Sequence, residues 1–367
     1  MRTVVITGAN AGIGFATAKF LAARSDWHVL LACRNELKAN AAIEEITKTH
    51  PKAHIGFAPL DLFSLSSVRR LPQALAAMQL PPIGGLILNA GGFNKNARSL
   101  EFTEDGFERT FQLNFLGHFL LTNLLLGEMA PPARIVFVSS DLHDPAATKM
   151  GKIMPPRYGP LGDFARGTGA AARLKPMARY ATAKMYAMMT AYEFDRKLRD
   201  TKKRITVNSW SPGVVPTTQA AREVHPILKT IIMSRWLVKF MGSHLSTEKE
   251  AARALGGLIT DPKYLGVSGR YFDGFKEIGR NCAPEIALLP IGAYHPESFR
   301  HVHMGPDEAM RVFKDLRAQW MVPMHYGTFR LGFEDMDEPP RWLQLLAEEE
   351  RLTHRLKILE EGVPQVF

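Results

Sequence analysis

Short apolar runs alternate with longer stretches of mixed apolar and polar residues over most of the chain. The runs are rich in β-branched residues, which is typical of buried strands. We predict strands at 2–6, 27–32, 54–60, 85–88, 134–138, 204–209 and 266–272. The stretches between them carry apolar residues at helical spacing, so we predict helices at 15–24, 36–50, 64–78, 107–129 and 180–198.

Strands that alternate with helices form a parallel sheet with right-handed crossovers. The predicted fold class is therefore α/β, a doubly wound parallel sheet of the Rossmann type in three αβα layers, with a C-terminal α+β extension. In such a sheet the ligand lies at the carboxyl ends of the strands. Four polar or charged residues fall at predicted strand ends, namely Thr7, Arg34, Asp61 and Asn89.

A glycine-rich turn, Thr7-Gly8-Ala9-Asn10-Ala11-Gly12-Ile13-Gly14, joins the first strand to the first helix. Glycine lets the backbone turn tightly and approach an anion, and the N–H groups of a helix start bind it. The turn therefore predicts a phosphate cradle. Its spacing is G-x-x-x-G-x-G rather than the G-x-G-x-x-G of the general dinucleotide fingerprint. The alternative is a glycine-rich turn that binds nothing.

Arg34 bears on the choice of cofactor. The end of the second predicted strand carries this arginine and no acidic residue. An acidic residue near this point usually binds the ribose 2′-hydroxyl of NAD, whereas an arginine accommodates a 2′-phosphate. A surface arginine at a strand end is the alternative, but with the glycine turn upstream we favour NADP(H).

Composition and charge narrow the picture further. With 46% apolar and 22% charged residues, the 367-residue chain resembles ordinary globular proteins. Cys33 and Cys282 are too few for a disulfide framework or a thiolate metal site, which favours a reducing compartment. Because we find no secretory pattern and no membrane-spanning apolar run, we expect a cytoplasmic location. The net charge of +10 suits phosphorylated ligands or a basic solvated surface, and we expect no nucleic-acid partner.

Several further motifs follow the glycine-rich turn along the chain, at strand ends or on predicted helices. They are Asn114 in a very apolar helix, Ser140 after the fifth strand, Tyr180-x-x-x-Lys184 after a 39-residue excursion, and Pro212-Gly213 after the sixth strand. Together with residues 7–14, Asp61 and Asn89-Ala90-Gly91, they resemble the short-chain dehydrogenase/reductase family over residues 1–272. The segment 32–35 and the long separation of Ser140 from Tyr180 look most like its retinol-dehydrogenase and protochlorophyllide-reductase branch. That branch implies NADP(H) and a small apolar carbonyl or alcohol as substrate.

The resemblance also implies roles for single residues. The catalytic set would be Asn114, Ser140, Tyr180 and Lys184, in which Lys184 also holds the nicotinamide ribose and Asn114 organises a water-linked proton path. Asp61 would lie near the adenine, Asn89 would border the adenosine ribose, and Thr217 would touch the nicotinamide carboxamide. The implied cofactor-binding residues are Gly8, Asn10, Ala11, Gly12, Ile13, Gly14, Arg34, Asp61, Leu62, Asn89, Ala90, Gly91, Tyr180, Lys184, Pro212, Gly213, Val215 and Thr217.

Physical chemistry supports these catalytic roles. A free tyrosine has a pKa of about 10, and a neighbouring ammonium favours the phenolate. Since Tyr180 and Lys184 share one helix face, we expect Lys184 to lower the pKa of Tyr180. Tyr180 would donate a proton to the carbonyl oxygen in reduction and remove it in oxidation. Ser140 would hydrogen-bond that oxygen and stabilise its developing charge. A structural asparagine with satisfied hydrogen bonds is the alternative for Asn114.

Residues 219–245 lie where this family builds its substrate lid. Apolar residues spread nearly all round a helical wheel in this segment, with Lys229, Arg235 and Lys239 among them. We expect a lid over a lipophilic substrate. Weak contact with a membrane surface through the basic residues, or a homo-oligomer interface, are the alternatives.

The remaining residues 273–367 look like the C-terminal part of a metallo-β-lactamase-fold hydrolase, close to the phospholipase D group that hydrolyses N-acyl-phosphatidylethanolamine. The sequence segments that carry this resemblance are 287–294, 303–309 and 324–329. Of that group's metal ligands only His325 is matched, and His301-x-His303 lacks the Asp-His that should follow. Because a catalytic metal needs about three protein ligands, we predict no metal site. We predict a strand at 319–324 and a helix at 339–361.

The joining of two families leaves alternatives open. A gene fusion and an artificial chimera both explain the junction near 271–279. The tail could pack on the first domain, mediate self-association or stay partly unfolded. The leading function is an NADP(H)-dependent oxidoreductase. A metal-dependent hydrolase and an inactive cofactor-binding scaffold are the alternatives.

Overall fold

The structure is a computed structural model that describes residues 1–94, 97, 99–145, 152–199, 201, 203–213, 215, 246–273, 285–295, 304–324, 326 and 334–359. The described residues up to Phe272 belong to one compact unit, and those from Asp273 onward belong to a second. The predicted boundary between domains at 272 stays a prediction. Within the described residues, no helix is both long enough and apolar enough to cross a membrane.

The first unit is built around a seven-stranded sheet. Its strands are β1 (Arg2–Thr7), β2 (Trp27–Cys33), β3 (His54–Pro59), β4 (Ile83–Leu88), β5 (Met129–Val138), β6 (Ile205–Ser211) and β7 (Tyr271–Asp273). Their order across the sheet is β3-β2-β1-β4-β5-β6-β7, and the pairs from β3 to β6 are parallel. The chain order reverses between β1 and β4, so a crevice opens at their carboxyl ends.

Helices cover both faces of this sheet. They are α1 (Gly12–Ala22), α2 (Glu36–Thr49), α3 (Leu65–Ala77), α4 (Arg109–Phe111), α5 (Gly117–Leu125), α6 (Leu161–Arg166), α7 (Pro176–Arg199) and α8 (Glu248–Thr260). Neighbouring residues of a strand point to opposite faces. Val4 of β1 therefore packs in a core cluster with α1, α2 and α8, while Val5 packs in a second cluster with α3, α5 and α7. The predicted three-layer doubly wound sheet is confirmed.

The long helix predicted at 107–129 is the main difference in the first unit. It consists of α4, a π-helical turn over Gln112–Leu116 and α5, and the chain from Met129 is already β5. The apolar residues up to Met129 looked helical, but Pro131 and Pro132 exclude helical continuation there. The last strand is also shorter than predicted, because Gly266 and Gly269 adopt positive φ angles of 78° and 65° before β7.

The second unit contains a two-stranded parallel sheet, β8 (Ile286–Pro290) and β9 (Trp320–Met324). Helices α9 (Pro306–Leu316) and α10 (Glu338–Glu349) bury Phe313 and Leu343 against it. The strand predicted at 319–324 agrees with β9. The helix predicted at 339–361 is wrong for residues 350–359, because the chain there forms a short 3-10 turn at Thr353–Arg355 and then lies beside β9.

Candidate active site

The glycine turn has the geometry of an anion cradle. Gly8 and Gly12 adopt φ angles of +67° and +57°, which side chains with a Cβ rarely adopt. A Cβ on Gly14 would lie 2.5 Å from Asn89 Nδ2 and 2.7 Å from the Gly8 oxygen. The N-cap of α1 is Ala11, whose side chain cannot accept from the first N–H groups of the helix. The turn therefore fits a phosphate group bound by backbone N–H donors.

Hydrogen bonds tie this turn to the neighbouring strand and helix. Thr7 Oγ1 accepts from Ala90 N at 2.9 Å and contacts His118 Nε2 at 3.0 Å. Asn89 Nδ2 donates to the Thr7 oxygen at 2.9 Å. His118 is fully buried, and burial lowers the pKa of its imidazole to about 3, with Lys184 adding to the effect. His118 thus connects the cradle to α5 as a neutral ring. Sequence reasoning missed this residue, although a histidine in so apolar a helix was a signal.

Two of the residues predicted near the adenosine, Arg34 and Asp61, follow β2 and β3. Arg34 is exposed, and its guanidinium carbon lies 5.3 Å from the centre of the Phe63 ring. Arg109 approaches the same ring at 4.4 Å. Asp61 Oδ1 accepts from Phe63 N at 3.0 Å, which shapes the loop after β3. Two guanidinium groups thus lie against the Phe63 ring, and that of Arg109 also lies 3.9 Å from the Glu101 carboxylate.

Asn114 lies in the π-helical turn and is completely buried. Its Oδ1 accepts from Gly92 N at 3.0 Å, and its Nδ2 donates to the oxygens of Gly92 and Thr110 at 2.7 and 2.8 Å. The side chain thus clamps the loop after β4 to the helix that follows. π-turns occur frequently at functional sites. These contacts are those of a structural asparagine with satisfied hydrogen bonds, which was the alternative interpretation of Asn114.

Lys184 and Tyr180 lie one turn apart on α7. Lys184 Nζ donates to the Val138 oxygen at 2.6 Å and lies 5.7 Å from the centre of the Tyr180 ring. A Cβ on Gly91 would lie 3.0 Å from Lys184 Nζ and 2.7 Å from Asn114 Oδ1. The loop after β4 therefore brings the lysine, the asparagine and the glycine turn to the same edge of the sheet.

The pKa of Tyr180 is raised above its ordinary value. Burial and the nearby Asp141 carboxylate raise it to about 12, while hydrogen bonding to Ser140 opposes the rise. Burial also lowers the pKa of Lys184 to about 8, which weakens the ammonium as a partner for a phenolate. Lys184 is not among the causes of this shift, so the expectation that Lys184 lowers the pKa of Tyr180 stays a prediction. The phenol keeps its proton throughout the neutral range.

Ser140 begins the segment beside this phenol. Its Oγ accepts from Leu142 N at 3.3 Å and donates to Asp141 Oδ1 at 3.3 Å. The Phe93 ring centre lies 5.0 Å from that of Tyr180. Neither Asp141 nor Phe93 was a predicted site residue. Their positions directly after Ser140 and after Asn89-Ala90-Gly91-Gly92 were the signals available in the sequence.

Other predicted site residues are less informative. Pro212, Gly213 and Val215 follow β6, where Gly213 has a φ of +65° and donates its N–H to Ser211 Oγ at 3.3 Å. Thr217 and the predicted lid at 219–245 lie outside the described residues. The tail histidines at 301, 303 and 325 also lie outside them. Among the residues that are described, no three histidine, cysteine or acidic side chains form a group that could hold a metal ion.

Two family models match the chain. A model described as short chain dehydrogenase matches residues 2–152. A model described as beta-lactamase superfamily domain matches residues 241–326, which confirms the resemblance of the tail. The second match begins within the first compact unit.

Curated relatives match most of the first unit. Protochlorophyllide reductase of Chlamydomonas reinhardtii is 36% identical over 282 residues, covering 74% of this chain and 69% of the relative. Protochlorophyllide reductase A of Arabidopsis thaliana is 34% identical over 284 residues, covering 73% and 68%.

Solved structures share the fold at lower identity. A blue fluorescent protein from a metagenomic library in complex with NADPH has a TM-score of 0.54 at 21% identity, covering 74% of this chain and 95% of that protein. Actinorhodin polyketide ketoreductase with NADPH has a TM-score of 0.54 at 20% identity, covering 74% and 94%. These similarities concern the fold alone.

Proposed function

Because the chain belongs to the short-chain dehydrogenase/reductase family, we propose that it uses NADP(H) to interconvert an apolar alcohol and its aldehyde or ketone. Membership makes it an oxidoreductase with a nicotinamide cofactor. The choice of NADP(H), the class of substrate and the role of Tyr180 are the proposal.

One observation carries the proposal, namely the arrangement that links the anion cradle to Tyr180. Ala90, next to Gly91, binds Thr7 of the cradle, and Gly91 lies against Lys184 and Asn114. Lys184 in turn lies beside Tyr180, and hydrogen bonding to Ser140 opposes the rise in the pKa of Tyr180. A dinucleotide with its pyrophosphate on the cradle would therefore extend along this edge toward the phenol. A glycine-rich turn that binds nothing would not need this arrangement.

The residues beside Phe63 bear on the choice of cofactor, and the Phe93 ring beside Tyr180 bears on the class of substrate. Arg34 lies at the end of β2 beside Phe63, where a guanidinium favours the 2′-phosphate of NADP(H) over the bare ribose of NAD, whereas Arg109 on the same ring is paired with Glu101 at 3.9 Å. Phe93 places an aromatic ring against Tyr180, which favours an apolar group next to the reacting carbonyl.

The chain's own groups would act on a proton and on the charge of the oxygen. Bound NADPH supplies a hydride to the carbonyl carbon. Tyr180, which holds its proton at neutral pH, donates it to the carbonyl oxygen as that oxygen gains charge. The ammonium of Lys184 adds a positive charge beside the phenol below a pH of about 8. Asn114 keeps the loop after β4 in place through its three backbone hydrogen bonds.

A second candidate is the reduction of protochlorophyllide, the molecule named in the relatives. Identity of 36% over 69% of the algal reductase favours it. Both candidates need the same cofactor edge and differ in the molecule that reaches Tyr180.

The proposal is tested by NADPH oxidation with the full chain. The panel contains apolar aldehydes, apolar ketones and protochlorophyllide, and each substrate is also tried with NADH. Turnover of carbonyls with NADPH in preference to NADH supports the first candidate, and turnover of protochlorophyllide alone supports the second. Tight NADPH binding without turnover of any substrate would favour the inactive scaffold instead.

The change Tyr180→Phe tests the role of the phenol. General acid catalysis contributes about 10²–10⁴-fold, so we expect kcat for carbonyl reduction to fall by that factor. Fluorescence titration should show unchanged NADPH affinity. Tyr192→Phe on the same helix is the matched control, since Tyr192 is partly exposed two turns beyond Lys184 and should keep full activity. Activity retained in Tyr180→Phe would contradict the assignment.

A further inference from the structure

His118 is a buried titratable group that the proposed reaction does not use. It lies in α5 and is 2% exposed, and burial together with the charge of Lys184 lowers the pKa of its imidazole to about 3. A neutral ring buried in so apolar a helix still needs a polar partner, because burial without one costs free energy. The partner is Thr7 Oγ1, which lies 3.0 Å from His118 Nε2 although 111 positions separate the two residues.

The hydroxyl of Thr7 is held from several sides. It accepts from Ala90 N at 2.9 Å, and the Ile87 oxygen lies 3.4 Å away. A hydroxyl has one hydrogen and two acceptor positions, and Nε2 of a neutral imidazole either accepts or donates. If Nε2 accepts, the hydroxyl hydrogen points to it; if Nε2 donates, that hydrogen goes to the Ile87 oxygen. In both cases His118 fixes the orientation of the hydroxyl that Ala90 binds.

Thr7 occupies the junction between the anion cradle and the loop after β4. It precedes Gly8, and its backbone oxygen accepts from Asn89 Nδ2 at 2.9 Å. A Cβ on Gly8 would lie 3.0 Å from Cα and Cβ of Ala90, so the two loops touch here without spare room. A displaced Thr7 hydroxyl would therefore move the cradle, the loop after β4 or both.

The helical segment that carries His118 also holds this loop at a second point. Asn114, in the π-helical turn before α5, accepts from Gly92 N at 3.0 Å. The loop after β4 is thus held twice from one helical segment, at Gly92 directly and at Ala90 through Thr7. His118 and Asn114 therefore act on the same loop.

We propose that His118 is a positioning residue for NADP(H), which through Thr7 keeps the cradle and the loop after β4 in the arrangement that the cofactor needs. The inference rests on the proposed function. In this role His118 acts only through Thr7 and neither gains nor loses a proton. Its loss should therefore weaken cofactor binding more than it slows the chemical step.

The test compares His118→Leu with His118→Gln in the full chain. Leucine cannot bind the Thr7 hydroxyl, whereas the glutamine amide offers both a donor and an acceptor. Since a buried hydroxyl left without its partner is costly, NADPH binding measured by fluorescence titration should weaken about five- to 150-fold in His118→Leu. KM for NADPH should rise in parallel while kcat at saturating NADPH is kept. His118→Gln should recover most of the affinity.

Two further variants separate the contact with Thr7 from general damage to α5. Thr7→Val removes the same hydroxyl and should weaken NADPH binding at least as much as His118→Leu. The two effects should not add, so the double variant should bind no more weakly than Thr7→Val alone. Thr122→Val is the matched control, because Thr122 is buried in the same helix and its Oγ1 donates to the His118 oxygen at 2.8 Å. It should keep full affinity.

A second measurement needs neither cofactor nor substrate. The Ala90 amide donates to the hydroxyl that His118 holds, so its exchange with deuterium should become at least about fivefold faster in His118→Leu. His118→Gln and Thr122→Val should leave the exchange near its original rate. Mass spectrometry of peptides that contain Ala90 follows this exchange.

Weaker binding and faster exchange in His118→Leu, both recovered in His118→Gln, support the proposal. Full NADPH affinity with unchanged exchange at Ala90, or an equal loss in Thr122→Val, would overturn it. If His118→Leu does not fold, Thr7→Val decides, because it removes the same contact from the other side. If the unaltered chain binds no NADPH, the proposed function fails, and the exchange at Ala90 still decides whether His118 positions this loop.

Discussion

At the scale of single residues, two asparagines of the site use their side chains on the backbone. Asn89 binds the Thr7 oxygen, and Asn114 binds Gly92 and Thr110. Both hold the loops that a cofactor would touch. Their contribution is therefore to fix the shape of the cradle, and a change of shape there should weaken ligand binding.

Gly14→Ala tests that dependence on shape. The added Cβ would lie 2.7 Å from the Gly8 oxygen, which is backbone and cannot move cheaply. Overpacking costs about 1–3 kcal/mol, which corresponds to about five- to 150-fold in NADPH affinity. Fluorescence titration measures this loss. Gly162→Ala is the matched control, because nothing lies within 4 Å of its added Cβ, and equal losses in both variants would contradict the prediction.

Lys184 should make cofactor binding depend on pH. Burial lowers its pKa to about 8, so the ammonium is present below that pH and lost as the pH rises through it. A hydrogen bond to a charged group contributes about 1.5–3 kcal/mol, and the protonated fraction of Lys184 falls about tenfold between pH 7 and 9, so NADPH affinity should fall by up to about tenfold over that range. Lys184→Met should bind more weakly and show no step near pH 8. A step of the same size in Lys184→Met would assign the titration to another group.

Residue types were easier to predict than their states. The glycine turn and the pair Tyr180 and Lys184 could be read from spacing, since a turn and a helix face are local. The pKa of Tyr180 could not be predicted in this way, because it depends on burial and on Asp141. The long excursion between Ser140 and Tyr180 separates these two residues in the sequence. His118 was missed for the same reason, since its partner Thr7 lies 111 positions away.

At the scale of elements, a buried ion pair joins α4 to α7. Glu108 and Arg179 lie 3.4 Å apart with side chains 3% and 9% exposed. Glu108 precedes α4 and accepts from Phe111 N at 2.7 Å, while Arg179 directly precedes Tyr180. The pair therefore links the segment that leads to Asn114 with the helix that carries Tyr180.

Breaking this pair should destabilise the first unit. Arg179→Met leaves the Glu108 carboxylate buried without a counter-charge, which costs about 3–5 kcal/mol in the free energy of unfolding. The double variant Glu108→Gln with Arg179→Met should recover most of the loss. Urea unfolding measures both. Arg196→Met breaks the exposed pair with Glu193 on the same helix and should change nothing measurable; a loss as large as that of Arg179→Met would argue against charge burial as the cause.

Strands were predicted better than helix ends. Buried parallel strands are continuous apolar runs, so β1 to β6 stand out in the sequence. The π-turn at Gln112–Leu116 leaves no mark in apolar spacing, since one extra residue per turn shifts the pattern only slightly. Similarly, acidic and apolar residues continue helical spacing past Glu349, whereas the chain turns there with Arg351 at a φ of +57°.

At the scale of the whole molecule, the described residues form two compact units, and the proposed chemistry lies in the first. The second carries a resemblance to a metal-dependent fold but only one matched ligand in its sequence. We therefore expect the reductase activity to be independent of metal ions.

Dialysis against a chelator tests this independence. NADPH oxidation should be unchanged after dialysis, and elemental analysis of the pure protein should find less than about one zinc ion per chain, since a metal centre of this type needs about three protein ligands. Adding zinc back to the dialysed protein should restore nothing. Two tightly bound zinc ions, with activity that disappears on dialysis, would revive the metallohydrolase alternative.

Residues 246–272 determine where the chain can be divided for expression of the first unit alone. The beta-lactamase match starts at residue 241, so a boundary chosen from sequence similarity would place these residues in the C-terminal fragment. Yet α8 covers α1, with Gly256 directly against Phe20, and β7 closes the sheet beside β6. An expressed fragment ending at 240 would present the bare side of α1 to water and tend to aggregate. The domain boundary indicated by sequence similarity therefore differs from the boundary of the folded unit.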